Sequence, residues 1–233
     1  MILPLVLRNV AYRDIIQPLS LEIDAGPSTI ILGANGAGKS VLMRLMHGLL
    51  APTAGGVAWR ERDALRVRRL QAMVFQRPVM LRRSALANVV YALAVAGVPL
   101  AEREATARAA LAEVGLAHLA QRPARVLSGG EQQRLALARA WALHPEVIFL
   151  DEPTASLDPT ATREIEAVIR AFDAGGTKIV MATHNLGQAR RLGDEVIYLH
   201  QGRVLERTPA DRFFSQPASA EAAAFIKGEL PWV

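Results

Sequence analysis

Eight consecutive residues have the types and the spacing of a phosphate-binding loop. They are Gly33-Ala34-Asn35-Gly36-Ala37-Gly38-Lys39-Ser40, between an apolar run that ends at Leu32 and another that begins at Val41. Glycines let backbone N–H groups converge on phosphate oxygens, and a following helix adds its free N-terminal N–H groups. Lys39 supplies a positive charge for the β- and γ-phosphates, and the Ser40 hydroxyl can bind Mg²⁺. This stretch therefore predicts a site for a nucleoside triphosphate and magnesium.

Two carboxylates follow a short apolar run further along the chain. Asp151 and Glu152 come directly after Val147-Ile148-Phe149-Leu150. In a parallel sheet, the carboxyl ends of the strands lie at the edge where nucleotides bind. Asp151 suits Mg²⁺ binding, directly or through water, and Glu152 suits orienting or deprotonating an attacking water. An acidic pair can also simply end a strand, but the complete phosphate loop upstream favours the catalytic interpretation.

A serine and two glycines precede a long helical pattern. Ser128-Gly129-Gly130 predict a second helix N-terminus that can bind an anion, and they also fit a plain capped helix with Ser128 as the N-cap. A chain with one phosphate loop has no evident need of a second such turn on the same nucleotide. A second subunit would have a use for it.

The elements that must position these residues alternate between apolar strands and helices. Strands are predicted at 5–10, 19–23, 28–32, 71–75, 147–150, 177–182, 195–199 and 203–206. Helices are predicted from the phosphate loop to about 50, at 84–96, 101–114, from 131 to about 144, at 160–172 and at 218–226. Pro52 to Gly56 is predicted as a turn from its composition. This order predicts an α/β fold with a parallel sheet covered on both faces, and a helical insertion from 77 to about 127.

The composition fits one large domain, or a domain with an inserted subdomain. The chain has 233 residues, of which 51% are hydrophobic and 21% charged, with a net charge of +5 and no cysteine. Eight arginines lie between Arg60 and Arg83. A solvated face is the default interpretation of this cluster, and contact with acidic lipid or an acidic partner stays open. No disulfide or thiolate metal site is expected, no apolar run reaches the ~20 residues that span a bilayer, and Met1 to Arg8 does not indicate a signal peptide.

Six motifs together resemble those of the ATP-binding cassette family, the nucleotide-hydrolysing subunits of ABC transporters. They occur in the family's order: Walker A at Gly33–Ser40, the Q-loop at Gln76, the signature at Leu127–Glu131, Walker B at Val147–Glu152, the D-loop at Ser156–Asp158 and the switch histidine at His184. The resemblance implies a P-loop NTPase with a parallel-sheet core, an antiparallel β subdomain and an inserted α-helical subdomain. We expect the core at 1–76 and 146–207, the helical subdomain at 77–145 and a C-terminal tail at 208–233.

The resemblance also implies a role for each site residue. The expected catalytic residues are Glu152, His184, Gln76 and Lys39, and the expected Mg²⁺ ligands are Ser40, Gln76 and Asp151. The expected ATP-binding residues are Tyr12, Gly33, Asn35, Gly36, Ala37, Gly38, Lys39, Ser40, Val41, Ser128, Gly129, Gly130 and Asp158. In this family two copies dimerise head to tail, so that the signature of one covers the γ-phosphate held by the other.

Two of these assignments have simpler alternatives, and two positions depart from the usual motifs. Tyr12 fits the aromatic that stacks on adenine, but it also fits an ordinary tyrosine at a strand edge. Gln76 can be a plain polar residue after a strand. Glu131 stands where many members carry glutamine, and Ala34 where proline is frequent. Neither side chain is needed for backbone contacts to phosphate.

The implied function is ATP hydrolysis that closes and reopens a homodimer, coupled to a membrane permease that docks near Arg77–Asn88. Residues 77–88 and 225–232 resemble the tungstate importer branch, which is near the phosphate and molybdate importers. We therefore expect uptake of an oxyanion, tungstate first, with an extracytoplasmic substrate-binding protein and a place at the cytoplasmic face of the inner membrane. Phosphate, molybdate or another small solute is the alternative.

A nucleic-acid ABC ATPase is the rival from another class. Such relatives usually carry a long coiled-coil insertion or two cassettes per chain. The segment from 76 to 127 has room only for a compact helical subdomain, and there is one cassette, so no nucleic-acid partner is expected. A simple P-loop kinase leaves the signature unexplained.

Overall fold

The computed structural model describes residues 1–228. Its strands are β1 (Leu5–Tyr12), β2 (Ile16–Ile23), β3 (Thr29–Leu32), β4 (Ala54–Trp59), β5 (Gln71–Val74), β6 (Val147–Asp151), β7 (Lys178–Thr183), β8 (Glu195–His200) and β9 (Arg203–Pro209). Its α-helices are α1 (Lys39–His47), α2 (Ala64–Arg69), α3 (Ala85–Val95), α4 (Leu100–Glu113), α5 (Gly129–Trp141), α6 (Pro159–Ala174), α7 (Leu186–Leu192), α8 (Ala210–Ser215) and α9 (Ala220–Lys227). The end of the predicted tail, including Glu229–Trp232 of the tungstate resemblance, lies outside the described residues.

The chain forms two compact units. The first comprises residues 1–67, 149–152 and the chain from Lys178 on, and the second comprises 68–148 and 153–177. Strand β6 therefore begins in the second unit and ends in the first. The predicted limits of the core, the helical subdomain and the tail stay predictions.

A buried parallel sheet forms the centre of the first unit. Strands β7, β3 and β8 run parallel to one another, β9 is antiparallel to β8, and the end of β6 lies beside β7. Every residue of β3 and β7 is buried, as expected for strands covered on both faces. The carboxyl ends of β3, β6 and β7, at Leu32, Asp151 and Thr183, therefore face the same edge of the sheet.

A second sheet of the first unit is antiparallel, in the order β2-β1-β4. The predicted turn at Pro52–Gly56 is wrong in part, because β4 begins at Ala54. Two glycines explain why this strand was not predicted from the sequence, since glycine is depleted in strands. Gly55 has a φ of +75°, and a Cβ there would collide with the backbone of Asn9. Close pairing with β1, rather than local propensity, makes this segment a strand.

Helices α3 to α6 dominate the second unit. Three of them begin at a residue whose side chain accepts a backbone N–H of the first turn: Ser84 for α3, Ser128 for α5 and Asp158 for α6. Helices α5 and α6 are joined by Trp141 and Phe172, whose rings stack with centroids 4.1 Å apart. This stack joins the carboxyl-terminal ends of the two helices, while Gly130 and Ala161 bring their starts together.

The predicted fold class is confirmed, since the parallel core, the antiparallel sheet and the helical block are all present. Helices α2, α7 and α8 were not predicted, because with six or seven residues they are too short to show a helical period. Within residues 1–228, no helix has the length and apolar character needed to cross a membrane.

Candidate active site

The phosphate-binding loop connects β3 to α1 in the first unit. Lys39 is the first residue of α1 and is only 6% exposed. Its Nζ donates hydrogen bonds to the carbonyl oxygens of Gly33 (2.8 Å) and Ala34 (3.0 Å). Burial lowers the pKa of Lys39 from its ordinary value, and the nearby charge of Glu152 opposes that effect. The ammonium group is therefore held across its own loop, where phosphate oxygens would be bound.

Two glycines of the loop are required for different reasons. A Cβ on Gly33 would collide with the carbonyl oxygen of Leu199 in β8. Gly38 is the N-cap of α1 with a φ of 102°, which is strained for any residue with a side chain, and it lies against Ile16 of β2. The close approach of phosphate is therefore not the only reason for these glycines. The structure adds the packing of the loop against β8 and β2.

Ser40 and Asp151 bring two oxygen atoms together. Ser40 Oγ donates a 2.8 Å hydrogen bond to Oδ1 of Asp151, which ends β6 and is 3% exposed. Burial raises the pKa of the Asp151 carboxyl above its ordinary value, and the hydrogen bond from Ser40 and the charge of Arg44 oppose it. A hydroxyl and a carboxylate side by side are oxygen ligands of the kind that Mg²⁺ prefers.

Glu152 lies at the centre of this group. Its Oε1 is 3.4 Å from Nζ of Lys39 and 2.9 Å from Nδ1 of His184, and its Oε2 is 3.5 Å from Oγ1 of Thr183. Lys39 offsets part of the charge of the carboxylate, while Thr183 at the end of β7 and His184 just after it orient the group. A carboxylate held in this way can orient a water and accept its proton.

The backbone of Glu152 is also unusual. Its φ is +48°, in the left-handed region that residues with a side chain seldom adopt. The conformation is held by its N–H, which donates to the carbonyl oxygen of Ala182 at 3.0 Å. Strain of this kind is concentrated at functional sites, where the surrounding structure maintains it.

Tyr12 ends β1, at the turn that leads into β2. Its carbonyl oxygen accepts the N–H of Ile15 at 3.1 Å, and Ile15 and Ile16 lie against Gly38. The guanidinium carbon of Arg13 is 5.2 Å from the centroid of the Tyr12 ring. The turn that carries Tyr12 is therefore beside the phosphate-binding loop.

The predicted signature residues lie in the second unit. Ser128, Gly129 and Gly130 line a surface cavity of about 350 Å³ together with Asp158. Gly130 must lack a side chain, because a Cβ there would be 2.7 Å from the Cβ of Ala161 in α6. The start of α5 and the predicted D-loop residue thus share one cavity.

Both helix starts at this cavity are capped by carboxylates. Glu131 Oε2 accepts the N–H of Ser128 (2.7 Å), while Ser128 Oγ accepts the N–H of Glu131 (3.3 Å). Oδ1 of Asp158 accepts the N–H groups of Thr160 (2.8 Å) and Ala161 (3.0 Å). These hydrogen bonds lower the pKa of Glu131 and of Asp158 from their ordinary values.

Gln76 follows β5 and lines another cavity of the second unit, of about 280 Å³, with Gly129 and Ser156. The predicted residues thus form two groups, one in each unit. Neither the contact of Thr183 with Glu152 nor the capping role of Glu131, which the sequence placed in the signature, was predicted. Thr183 could have been found from its position at the end of an apolar strand, and Glu131 from its place three residues after an N-cap serine.

The chain is similar to ATP-binding proteins of import systems. The ABC transporter family matches residues 16–155, more than half of the chain. The phosphate import ATP-binding protein PstB 2 of Natronomonas pharaonis is 38% identical over 93% of this chain and 82% of its own length. The tungstate uptake system ATP-binding protein TupC of Peptoclostridium acidaminophilum is 40% identical over 84% of this chain and 90% of its own. The methionine import ATP-binding protein MetN of Leifsonia xyli is 38% identical over 89% and 64%, respectively.

A solved structure has the same fold. The structure of cbiO1 from Clostridium perfringens, part of the ABC transporter complex cbiONQ, matches with a TM-score of 0.82 at 27% identity, over 99% of this chain and 97% of that one. The buried lysine of the loop, the acidic pair at the end of β6 and the histidine after β7 fit the same conclusion. This chain belongs to the ABC transporter family, as an ATP-binding subunit that hydrolyses ATP.

Proposed function

We propose that this chain is the ATPase subunit of an ABC importer and that it energises uptake of an oxyanion, with tungstate as the leading candidate. The tungstate uptake protein TupC and the phosphate import protein PstB 2 are both among its relatives. The methionine import protein MetN is also similar, so phosphate, molybdate or another small solute is the alternative substrate.

The observation that carries the ATPase chemistry is the carboxylate of Glu152, held between Lys39 and His184. In this proposal Glu152 orients and deprotonates the attacking water, and His184 positions it against the γ-phosphate. Lys39 offsets the negative charge that develops on the phosphate oxygens in the transition state. Electrostatic stabilisation of this kind is usually the largest contribution to catalysis of phosphoryl transfer. Gln76 acts on the same water and on the metal.

Magnesium fits the side chains present. Ser40 and Asp151 would hold it, with Gln76 as a further ligand, and the bound ion would supply positive charge to the phosphates. Within residues 1–228, no cluster of three or more His, Cys, Asp and Glu side chains could hold a metal ion. Oxygen atoms of phosphate and water would complete the coordination that these side chains begin, as is usual for Mg²⁺ in nucleotide sites.

Nucleotide binding involves two copies in this proposal. Tyr12 stacks on adenine, and the loop residues Gly33 to Val41 bind the phosphates. Ser128, Gly129, Gly130 and Asp158 complete the enclosure from a second copy in a head-to-tail dimer. The cavity that these four residues share supports their acting together.

An ATPase subunit of an importer works with further proteins, and the proposed function therefore includes two partners. A membrane permease would dock near Arg77–Asn88, with an extracytoplasmic binding protein on its other side, and the chain would lie at the cytoplasmic face of the inner membrane. We further propose the subdomain limits 1–76 with 146–207, 77–145, and 208–233. The exposed side chain of Val79, at 75%, supports a contact surface in this region.

The variant Glu152→Gln tests the ATPase chemistry. It keeps the shape of the side chain but cannot accept a proton, so ATP hydrolysis should fall at least about a hundredfold while ATP binding persists and a closed dimer accumulates. Phosphate release and gel filtration with Mg²⁺ and ATP measure these effects. Glu113→Gln, on the exposed end of α4, is the matched control. Near-normal hydrolysis by Glu152→Gln would contradict the assignment.

Uptake measurements test the substrate. Cells that lack the gene are complemented with the wild-type chain or with Glu152→Gln, and their tungsten, molybdenum and phosphate contents are compared. Tungsten accumulation should require the wild-type chain. Equal tungsten contents, with a deficit in another oxyanion, would move the assignment to that oxyanion. Strong, salt-dependent binding of the purified protein to DNA or RNA would instead favour the nucleic-acid class.

A further inference from the structure

The start of α5 already holds an anion of its own chain. The carboxylate of Glu131 accepts the backbone N–H of Ser128 at 2.7 Å, and the hydroxyl of Ser128 accepts the N–H of Glu131 at 3.3 Å. In the proposed function Ser128 meets the γ-phosphate of a second copy. Glu131 therefore engages the backbone N–H of this residue and one acceptor position of its hydroxyl. A phosphate oxygen arriving there can accept the hydroxyl hydrogen of Ser128, but it then lies beside the Glu131 carboxylate and competes with it for the Ser128 N–H.

The guanidiniums of Arg122 and Arg134 offset part of the charge of Glu131, but most of the charged groups at this helix start are acidic. The 350 Å³ cavity is lined by the carboxylates of Glu131, Asp158 and Glu164, and by the guanidinium of Arg134. Arg134 is engaged with Glu164, at 3.4 Å, and with the carbonyl oxygen of Val114, also at 3.4 Å. Among the charged side chains that line the cavity, the acidic ones thus outnumber the basic one.

A negative cavity opposes the binding of a triphosphate. A carboxylate in the first turn of a helix is stabilised by the helix dipole and by free N–H groups. A phosphate at the same position competes for that stabilisation and is repelled by the carboxylate. The carboxylate that stabilises α5 in a single copy thereby destabilises the closed, ATP-bound dimer.

We infer that Glu131 is a positioning residue that weakens closure of the ATP-bound dimer: it holds Ser128 in place and opposes the entry of the γ-phosphate, so that the closed state is shorter-lived than it would be with a neutral side chain. This inference rests on the proposed function. It assigns to Glu131 a regulatory effect at that same site, through the residue that touches the nucleotide.

The variant Glu131→Gln tests the inference. Glutamine keeps an oxygen that can accept the N–H of Ser128, so the cap is retained while the charge is removed. In the Glu152→Gln background, which prevents turnover, the ATP concentration for half-maximal dimer formation should fall about two- to fivefold, as expected for one charge at a helix terminus. Gel filtration with light scattering measures the dimer. Glu113→Gln in the same background is the control for a charge removed elsewhere.

The dependence on salt separates electrostatics from a structural effect. Screening weakens the repulsion that Glu131 exerts, so the advantage of Glu131→Gln should shrink as NaCl is raised from 50 to 500 mM. These concentrations lie about threefold below and about threefold above physiological ionic strength. A structural change in α5 would give a difference that salt does not alter.

The outcomes distinguish this inference from the function on which it rests. A dimer that tightens in Glu131→Gln at low salt supports the inference. If adding Glu131→Gln to the Glu152→Gln protein leaves the ATP concentration for half-maximal dimer formation unchanged, or raises it, the inference is overturned and the proposed function is not. Failure of Glu152→Gln to dimerise with ATP at all overturns both the proposed function and the inference.

Discussion

His47 should make the stability of this protein depend on pH below neutrality. It is the last residue of α1, and its ring packs edge-on against Phe149 of β6 with centroids 5.7 Å apart. Burial lowers the pKa of His47 from 6.5 to about 4. The C-terminus of a helix favours a cation by about 0.3–1 kcal/mol, so burial outweighs the helix dipole here.

The sign and size of the effect follow from the two pKa values. Between pH 6.5 and about 4 the unfolded chain binds a proton at His47 that the folded chain does not, so the free energy of unfolding falls as the pH falls through this range. Each pH unit contributes about 1.4 kcal/mol. The loss due to His47 should reach about 2 kcal/mol at pH ~5 and about 3 kcal/mol at pH ~4.

Urea unfolding at pH values from about 7.5 to 4.5 measures this loss, because His47 titrates between 6.5 and about 4. Tryptophan fluorescence is a suitable signal, since Trp59 lies with its ring centroid 6.4 Å from that of Phe149. The variant His47→Gln cannot be protonated and should lose this part of the pH dependence. His118→Gln, at an exposed position, should keep it. Equal pH slopes in wild type and His47→Gln would refute the reasoning.

Two further predictions concern the second unit. Gly130→Ala would place a Cβ 2.7 Å from the Cβ of Ala161, so we expect a loss of about 1–3 kcal/mol in stability and weaker ATP-dependent dimerisation. Gly129→Ala, whose Cβ meets only a flexible leucine side chain at 3.3 Å, should fold normally. Wild-type stability of Gly130→Ala would contradict the assigned packing. Phe172→Ala removes the ring stacked 4.1 Å from Trp141. The free energy of unfolding, measured in urea, should fall by about 3–5 kcal/mol. A loss below about 1 kcal/mol would show that this stack does not hold α5 to α6.

Much of the candidate site could be predicted from the sequence, because its chemistry is carried by short segments. The phosphate-binding loop is eight consecutive residues, and Asp151-Glu152 directly follow an apolar strand. The local pattern of strand, glycine turn and helix is enough to place such residues at the carboxyl edge of a parallel sheet. The observed β3, β6 and α1 agree with that placement.

Contacts between segments distant in sequence could not be predicted in the same way. Lys39, Glu152 and His184 are predicted individually, but the distances of 3.4 Å and 2.9 Å that join them depend on how β3, β6 and β7 are ordered. The positive φ of Glu152 has no local signal, because only the surrounding structure maintains a strained backbone.

The sequence by itself determined which chemistry this protein has, since residue types and their spacing specify phosphate, metal and proton ligands. Only the tertiary structure decided that Ala54–Trp59 is a strand, because its glycines oppose a local strand and pairing with β1 overrides them. It also showed why position 33 requires glycine, since the carbonyl oxygen of Leu199 fills the space that a side chain would need. The physical reason is the same in each case. Local propensities amount to about 1 kcal/mol or less per residue, and close packing between distant segments outweighs them.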